Sequence, residues 1–176
     1  GGEDTEMMMV DPNGNNSLGL LPEEADLFQM IRDSGKFGKT IVLLNSAFPM
    51  ELEWLKDYGV DACLWIGNPG QRGFEGVVNL LTGKANPSGH LTDTFSASTL
   101  SSPAAHVSSQ NATDWTNVDE VIASVTDAPN NISHVVAQSE GIYVGYRYYE
   151  TRAAEYTADP DWYEANVVYP FGYGLS

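Results

Sequence analysis

The sequence predicts a fold of the α/β class, in which helices alternate with the strands of a mostly parallel sheet. Two nearly continuous apolar runs, at residues 39–45 and 60–66, are typical of parallel strands that are buried on both faces. Segments whose apolar residues recur three and four positions apart lie before and after these runs, and that spacing is typical of helices. The alternation favours a layered α/β domain.

The first predicted helix starts at Leu21 and ends at Gly35, after a polar, turn-rich loop over residues 1–19. Pro22 suits the first turn of a helix, because its missing N–H would have no partner there. Two glutamates follow the proline and complement the positive end of the helix dipole.

Two more helices are predicted between and after the apolar runs. One covers residues 49–58 and is capped by Gly59, and the other covers residues 70–81 and is ended by Gly83. The second of these carries four apolar residues at helical spacing, namely Phe74, Val77, Val78 and Leu81.

The second half of the chain has a different character. A short strand is predicted at residues 91–95, and a second strand, rich in Ile, Tyr and Val, at residues 141–149. Between them, residues 96–139 are rich in Ser, Asn, Thr and Ala and are interpreted as a variable insert in a domain that covers residues 1–176. Residues 151–166 are interpreted as a polar connection.

The charge of the chain excludes some classes of partner. A formal net charge of -16, from 24 acidic and 8 basic residues, argues against binding to nucleic acid or to an anionic membrane. No apolar stretch approaches the roughly 20 residues that a membrane helix needs. The single cysteine, Cys63, lies in an apolar run and is interpreted as a buried, inert thiol. Neither composition nor motifs assign a compartment.

Several familiar site patterns are incomplete. The Gly-Asn-Pro-Gly turn at residues 67–70 lacks the Lys and Ser or Thr of a phosphate-binding loop, so a structural turn is favoured. His90, His106 and His134 have no metal-ligand spacing. Ser46 follows a predicted strand but has no G-x-S-x-G context. We therefore predict no cofactor and no metal ion.

Carboxylates remain as candidates for chemistry. Glu3, Asp4 and Glu6 lie in the opening loop, and Glu140 precedes the aromatic segment at residues 141–149. Paired carboxylates cleave glycosidic bonds, and aromatic rings stack on sugars. On spacing alone, each carboxylate is more often a solvated surface charge, and the aromatic residues are more often core or interface.

Five ordered motifs connect the chain to a known family. They resemble the signature of the second, α/β-sandwich domain of glycoside hydrolase family 3. The motifs are Ile41-Val-Leu-Leu-Asn-Ser, Trp65-x-Gly-x-Pro-Gly-Gln-x-Gly with Leu81-x-Gly, Asn86-Pro-Ser-Gly-x-Leu-x-x-Thr-Phe95, Glu140-Gly-Ile-Tyr-Val-Gly-Tyr-Arg-Tyr-Tyr and Tyr169-Pro-Phe-Gly-Tyr-Gly-Leu-Ser.

The resemblance implies a fold and an activity. The fold is a three-layer α/β sandwich with a mostly parallel sheet, whose first strands are missing from this chain. The activity is that of a retaining, exo-acting, β-glucosidase-like hydrolase of terminal β-linked sugars. The family places its nucleophilic aspartate on a separate (β/α)8 barrel domain, and a fibronectin type III-like domain often follows. We therefore expect a fragment of a longer protein that is inactive alone.

The resemblance also selects Glu3 as the candidate acid/base residue. Many family members keep this glutamate in a Gly-Glu-Gly loop, and the Gly-Glu pair at the start of the chain matches it. The match is partial, because Asp4 replaces the second glycine and the usual Asp-Arg pair is absent. Glu6 is the second choice. The alternative function is a non-catalytic carbohydrate-binding or structural module, in which Glu3 is a surface residue.

Overall fold

The computed structural model describes residues 16–106, 116–124, 138–156 and 158–175. From residue 22 to residue 96 helices alternate with short strands, as the α/β prediction requires. The elements are α1 (Pro22–Ser34), β1 (Ile41–Leu44), α2 (Trp54–Asp57), β2 (Ala62–Trp65), α3 (Gly70–Leu81), β3 (Phe95–Ser96), α4 (Val118–Ser124), α5 (Tyr146–Glu155), α6 (Trp162–Asn166) and β4 (Val167–Tyr169), with short 3-10 helices at Thr99–Ser101 and Pro103–His106.

Strands β1 and β2 pair in parallel, as predicted, with Leu44 opposite Trp65 at their carboxyl ends. Both strands are shorter than the apolar runs that contain them. The prediction that β1 is buried on both faces is wrong. Ile41 and Leu43 are 46% and 38% exposed, whereas Leu44 is only 7% exposed. The described residues cover one face of β1, so its side chains alternate between exposed and at least partly buried.

The core lies on the covered face of this pair. Phe95 is its most buried large side chain, with 1% of its surface exposed. Its ring meets the Trp65 ring edge to face, with centroids 5.4 Å apart, a favourable arrangement for aromatic quadrupoles. The buried cluster consists of Leu44, Met50, Leu52, Leu55 and Phe95.

Helix α1 confirms the prediction from its capping residues. The Glu24 carboxylate accepts a hydrogen bond from the Leu21 backbone N–H at 3.1 Å. Gly35 ends the helix with φ 59°, the left-handed conformation that glycine adopts most readily. Phe28 packs the helix against the domain, since the centroids of the Phe28 and Trp54 rings are 4.8 Å apart.

Helix α2 is shorter than the helix predicted at residues 49–58. The backbone N–H of Glu51, which would have no partner in the first turn of a helix, donates to the Leu18 carbonyl, 2.9 Å away. The Glu51 carbonyl accepts from the Trp54 indole N–H at 2.9 Å. The helix therefore starts only at Trp54, and the carbonyl of Glu51 is bonded to the Trp54 side chain rather than to a helical N–H.

Helix α3 begins and ends where the sequence predicts. Gly70 at its start and Gly83 after its end both have positive φ, 64° and 71°. Gly73 is needed for a different reason, since a Cβ there would lie 2.6 Å from the Pro69 Cβ. Of the predicted apolar face only Val77 is buried, whereas the other three residues are about half exposed, namely Phe74, Val78 and Leu81.

The chain from residue 89 to 96 lies beside the chain from 167 to 174. Strand β3 pairs antiparallel with β4, so the strand predicted at residues 91–95 is displaced to Phe95–Ser96. Leu91 exchanges backbone hydrogen bonds of 2.8 Å with Tyr173 and Gly172. The motif at residues 86–95 and the motif at residues 169–176, which are far apart in sequence, are therefore adjacent in the structure.

The strand predicted at residues 141–149 is wrong. Gly141 and Gly145 have φ of 56° and 61° and interrupt any extended run, and α5 starts at Tyr146. The predicted polar connection contains the end of α5 and all of α6. Among the described residues the fold is thus mixed α/β, with one small parallel and one small antiparallel sheet.

Candidate functional site

The predicted acid/base residue Glu3 and the second choice Glu6 both lie outside the described residues, and so does Asp4. The described chain resumes at Asn16, whose side-chain amide donates to the Glu51 carboxylate at 2.7 Å. The structure therefore shows where residues 1–15, the opening segment, join the domain, and we call this contact between Asn16 and Glu51 the junction. It does not describe the candidate glutamates.

Glu51 anchors this junction with both of its carboxylate oxygens. One oxygen accepts from Asn16, and the other accepts from the Thr99 backbone N–H at 2.6 Å. Leu18, which accepts from the Glu51 backbone, is only 4% exposed. Sequence reasoning missed this role, because an early helical glutamate looks like a partner of the helix dipole.

The junction lies next to the carboxyl end of β1. Met50 and Leu52, on either side of Glu51, pack in one cluster with Leu44, the last residue of the strand. In open α/β sheets, ligands bind outside the carboxyl ends of the strands. The opening segment therefore enters the domain at the edge where such folds place their chemistry.

Ser46, at the same edge, has no free hydroxyl for catalysis. The side chain is 2% exposed. Its hydroxyl donates to the Phe48 carbonyl at 3.0 Å and accepts from the Phe48 N–H at 3.1 Å. Its backbone carbonyl accepts from the Trp65 indole at 2.7 Å. The residue stabilises a turn, in agreement with the low rank that the sequence assigns to it as a nucleophile.

The described histidines occupy separate places. A ring nitrogen of His90 lies 2.8 Å from the Gly172 carbonyl, whereas His106 lines a cavity near α5, and His134 lies outside the described residues. No cluster of three or more metal-binding side chains occurs in the described part of the chain. Nor is any helix there long and apolar enough to cross a membrane.

Cys63 lies on β2 and is half-buried. Burial raises the pKa of its thiol to about 11, because the thiolate is poorly solvated there. The thiolate is the reactive form, so a raised pKa lowers reactivity at neutral pH. This agrees with the interpretation of Cys63 as an inert thiol.

We expect Cys63 in the folded chain to react with iodoacetamide far more slowly at pH 8 than the same thiol in urea. The rate should rise with pH toward the folded pKa of about 11. Mass spectrometry of the alkylated protein measures the rate. Equal rates in the folded and unfolded chains would contradict the burial of this thiol.

Two cavities of the described chain adjoin its 3-10 helices. The smaller, of about 220 Å³, includes Glu140 in its wall. The larger, of about 440 Å³, lies between α5, α6 and the 3-10 helices and is lined by Leu100, Ser101, Pro103, His106, Tyr148, Arg152, Trp162 and Asn166.

The parallel β1–β2 pair, its flanking helices and the junction at the carboxyl end of β1 define an α/β-class domain. The chain belongs to the glycosyl hydrolase family 3 C-terminal domain family, whose model matches residues 2–176. The resemblance seen in the sequence motifs is thereby confirmed.

Curated relatives agree with this assignment. The chain is 30% identical over 158 residues to β-glucosidase A of Butyrivibrio fibrisolvens, a match that covers 89% of this chain and 15% of the relative. It is 28% identical over 158 residues to β-glucosidase B of Emericella nidulans, with 89% and 16% covered. With β-glucosidase 2 of Saccharomycopsis fibuligera the identity is 27% over 175 residues, with 96% and 16% covered. The chain thus spans about one sixth of their length.

Proposed function

We propose that this chain is the part of a retaining, exo-acting, β-glucosidase-like hydrolase that supplies the acid/base loop. The observation that carries the proposal is the family match over residues 2–176, together with relatives that are named β-glucosidases. The nucleophilic aspartate would lie on a (β/α)8 barrel domain of the same protein, with a fibronectin type III-like domain as a further partner. With more chain, the parallel pair would extend into a three-layer sandwich.

In this proposal Glu3 does two jobs in turn. As an acid it protonates the glycosidic oxygen of a terminal β-linked sugar while the aspartate attacks the sugar carbon and forms a glycosyl-enzyme intermediate. As a base it then takes a proton from the water that hydrolyses this intermediate. A glutamic acid needs a raised pKa for the first job, which burial against substrate and barrel would supply.

The position of the junction supports the proposal. Asn16 and Leu18 are bound to Glu51 beside the carboxyl end of β1. A segment that leaves this edge is presented on the side of the sheet where α/β folds bind ligands. The anchor fixes the point at which the described chain begins, 13 residues after Glu3.

The proposal predicts that the 176-residue chain alone does not hydrolyse a nitrophenyl β-glucoside, since it would lack the nucleophile. A longer protein that includes the barrel should hydrolyse the same substrate. Released nitrophenol measures both rates. Turnover by the purified chain, at a rate above that of the buffer, would contradict the assignment of the nucleophile to another domain.

A further inference from the structure

The 440 Å³ cavity near α5 contains neither Glu51 nor its bonded partners, although its wall begins at Leu100, the residue after Thr99. The proposed hydrolysis assigns it no role. Its volume falls in the range of small-molecule sites, roughly 300–1,000 Å³. Its walls combine one cation, two aromatic rings, an imidazole, a hydroxyl and an amide. These polar and aromatic lining residues are Ser101, His106, Tyr148, Arg152, Trp162 and Asn166.

Arg152 is held in place by the aromatic residues around it. The guanidinium carbon lies over the Trp162 ring at 4.6 Å and over the Tyr156 ring at 5.0 Å. Its Nη1 donates to the Tyr148 hydroxyl at 3.1 Å. Because Nη1 is bonded to Tyr148, the remaining terminal N–H groups are the donors left for a ligand in the cavity. A donor group that is fixed in this way loses little entropy on binding.

The charge of Arg152 has no carboxylate partner among the described residues, where the recorded ion pairs involve other cations. Of the two carboxylates on α5, Glu150 accepts from the Tyr163 hydroxyl at 2.6 Å, and Glu155 forms no ion pair within the described part of the chain. The Arg152 Nε is buried and has no hydrogen-bond partner in the described part of the chain. A guanidinium without a carboxylate partner has N–H groups left to donate to an anionic ligand, and Arg152 is the cation in the wall of this cavity.

We propose that this cavity binds a small hydroxycarboxylate, of which a uronic acid is the simplest sugar-sized example. The carboxylate would meet the terminal edge of Arg152, where charge-assisted hydrogen bonds are strongest. The Asn166 amide already donates to the Trp162 carbonyl at 2.8 Å. Its oxygen and second N–H, with the imidazole of His106, offer acceptors and donors to the hydroxyl groups. A monoanion matches the single guanidinium, whereas a phosphate dianion would face one cation in a strongly acidic protein.

The test is a ligand-observed NMR titration of the full 176-residue chain with sodium glucuronate. Glucose serves as the neutral sugar of similar size, and acetate as the carboxylate without hydroxyl groups. We expect glucuronate to bind more tightly than acetate, and glucose to bind at least about tenfold more weakly than glucuronate, because it makes no charge-assisted bond. Equal binding of glucose, equal binding of acetate, or no binding of glucuronate would overturn the proposal.

Variants on α5 locate the site. Arg152→Gln should weaken glucuronate binding at least about tenfold. The matched control is Arg147→Gln, which removes the same charge from a residue whose guanidinium lies over the Tyr146 ring at 5.6 Å, outside the cavity lining. Equal losses in both variants would overturn the proposal, since they would report net charge alone.

A conservative variant covers the case in which Arg152→Gln fails to fold, as judged by circular dichroism. Arg152→Lys keeps the charge but has no planar pair of terminal nitrogens. It should fold and bind glucuronate severalfold more weakly than the unchanged chain. Unchanged affinity in Arg152→Lys would contradict recognition by the guanidinium edge.

Discussion

Replacing Glu3 by Gln in the longer protein that contains this chain is expected to lower turnover of an alkyl or unactivated aryl β-glucoside by about 100- to 10,000-fold. The amide has nearly the shape of the acid but cannot protonate the departing oxygen. A poor leaving group needs that proton, so the first step becomes rate-limiting. Steady-state rates on a series of aryl β-glucosides measure the effect.

The loss of turnover in Glu3→Gln should depend on the leaving group of the substrate. This dependence distinguishes an acid/base residue from a residue that only binds the substrate. A dinitrophenyl glucoside needs little protonation, so the first step should be nearly unaffected by Glu3→Gln. The second step should then limit turnover, because water lacks its base. A burst of dinitrophenol equal to the enzyme concentration would report the accumulated intermediate.

Glu6→Gln is the matched control for this experiment, since Glu6 is a nearby carboxylate in the same loop. It should leave turnover of both kinds of substrate within about twofold of the unchanged protein, as expected for a carboxylate that takes no part in the reaction. Unchanged turnover in Glu3→Gln on both substrates would rule out Glu3. A large loss in Glu6→Gln alone would transfer the role to Glu6.

Where local signals agree, the sequence predicts this fold well. For α3, the spacing of apolar residues, a starting turn of Gly-Asn-Pro-Gly and a closing Gly83 all indicate a helix at residues 70–81, where it is found. For α1, a proline, two acidic residues and Gly35 do the same. Such signals act within one or two helical turns, so no distant contact is needed to interpret them.

The prediction fails where distant contacts decide the conformation. Residues 141–149 are rich in Tyr, Ile and Val, which favour a strand. In the structure, Tyr148 and Arg152 lie one helical turn apart and share a hydrogen bond, and both contact Trp162. Tyr149 also stacks on Trp162, at 6.2 Å. Burial against a residue more than ten positions away overrides the local preference.

The site depends even more on contacts between distant residues. Glu51 bonds to a side chain 35 positions before it and to a backbone group 48 positions after it. No spacing rule in the sequence links these residues. The candidate acid/base residue was found only through its resemblance to a family motif, and its position in the molecule stays a prediction because it lies outside the described residues.

Phe95→Ala is expected to cost about 3–5 kcal/mol of the free energy of unfolding, the usual range for a buried phenylalanine. The ring is 1% exposed and lies edge to face against Trp65. Its loss removes apolar burial, leaves a cavity between the two small sheets and ends the aromatic contact. Because domains have only about 5–15 kcal/mol of stability, much of the folded population would be lost.

Urea unfolding of the 176-residue chain, followed by tryptophan fluorescence, measures this cost. The control is Val78→Ala, since Val78 is apolar but 53% exposed, and surface changes usually stay within about 0.5 kcal/mol.

Loss of the Phe95 ring should also loosen Trp65, whose indole N–H donates to the Ser46 carbonyl at the carboxyl end of the β1–β2 pair. The Glu51 junction lies at that end and packs on the same cluster, so the variant should weaken the anchor of the opening segment. If the two variants unfold at the same urea concentration, Phe95 is not the centre of the core, and the junction does not depend on it.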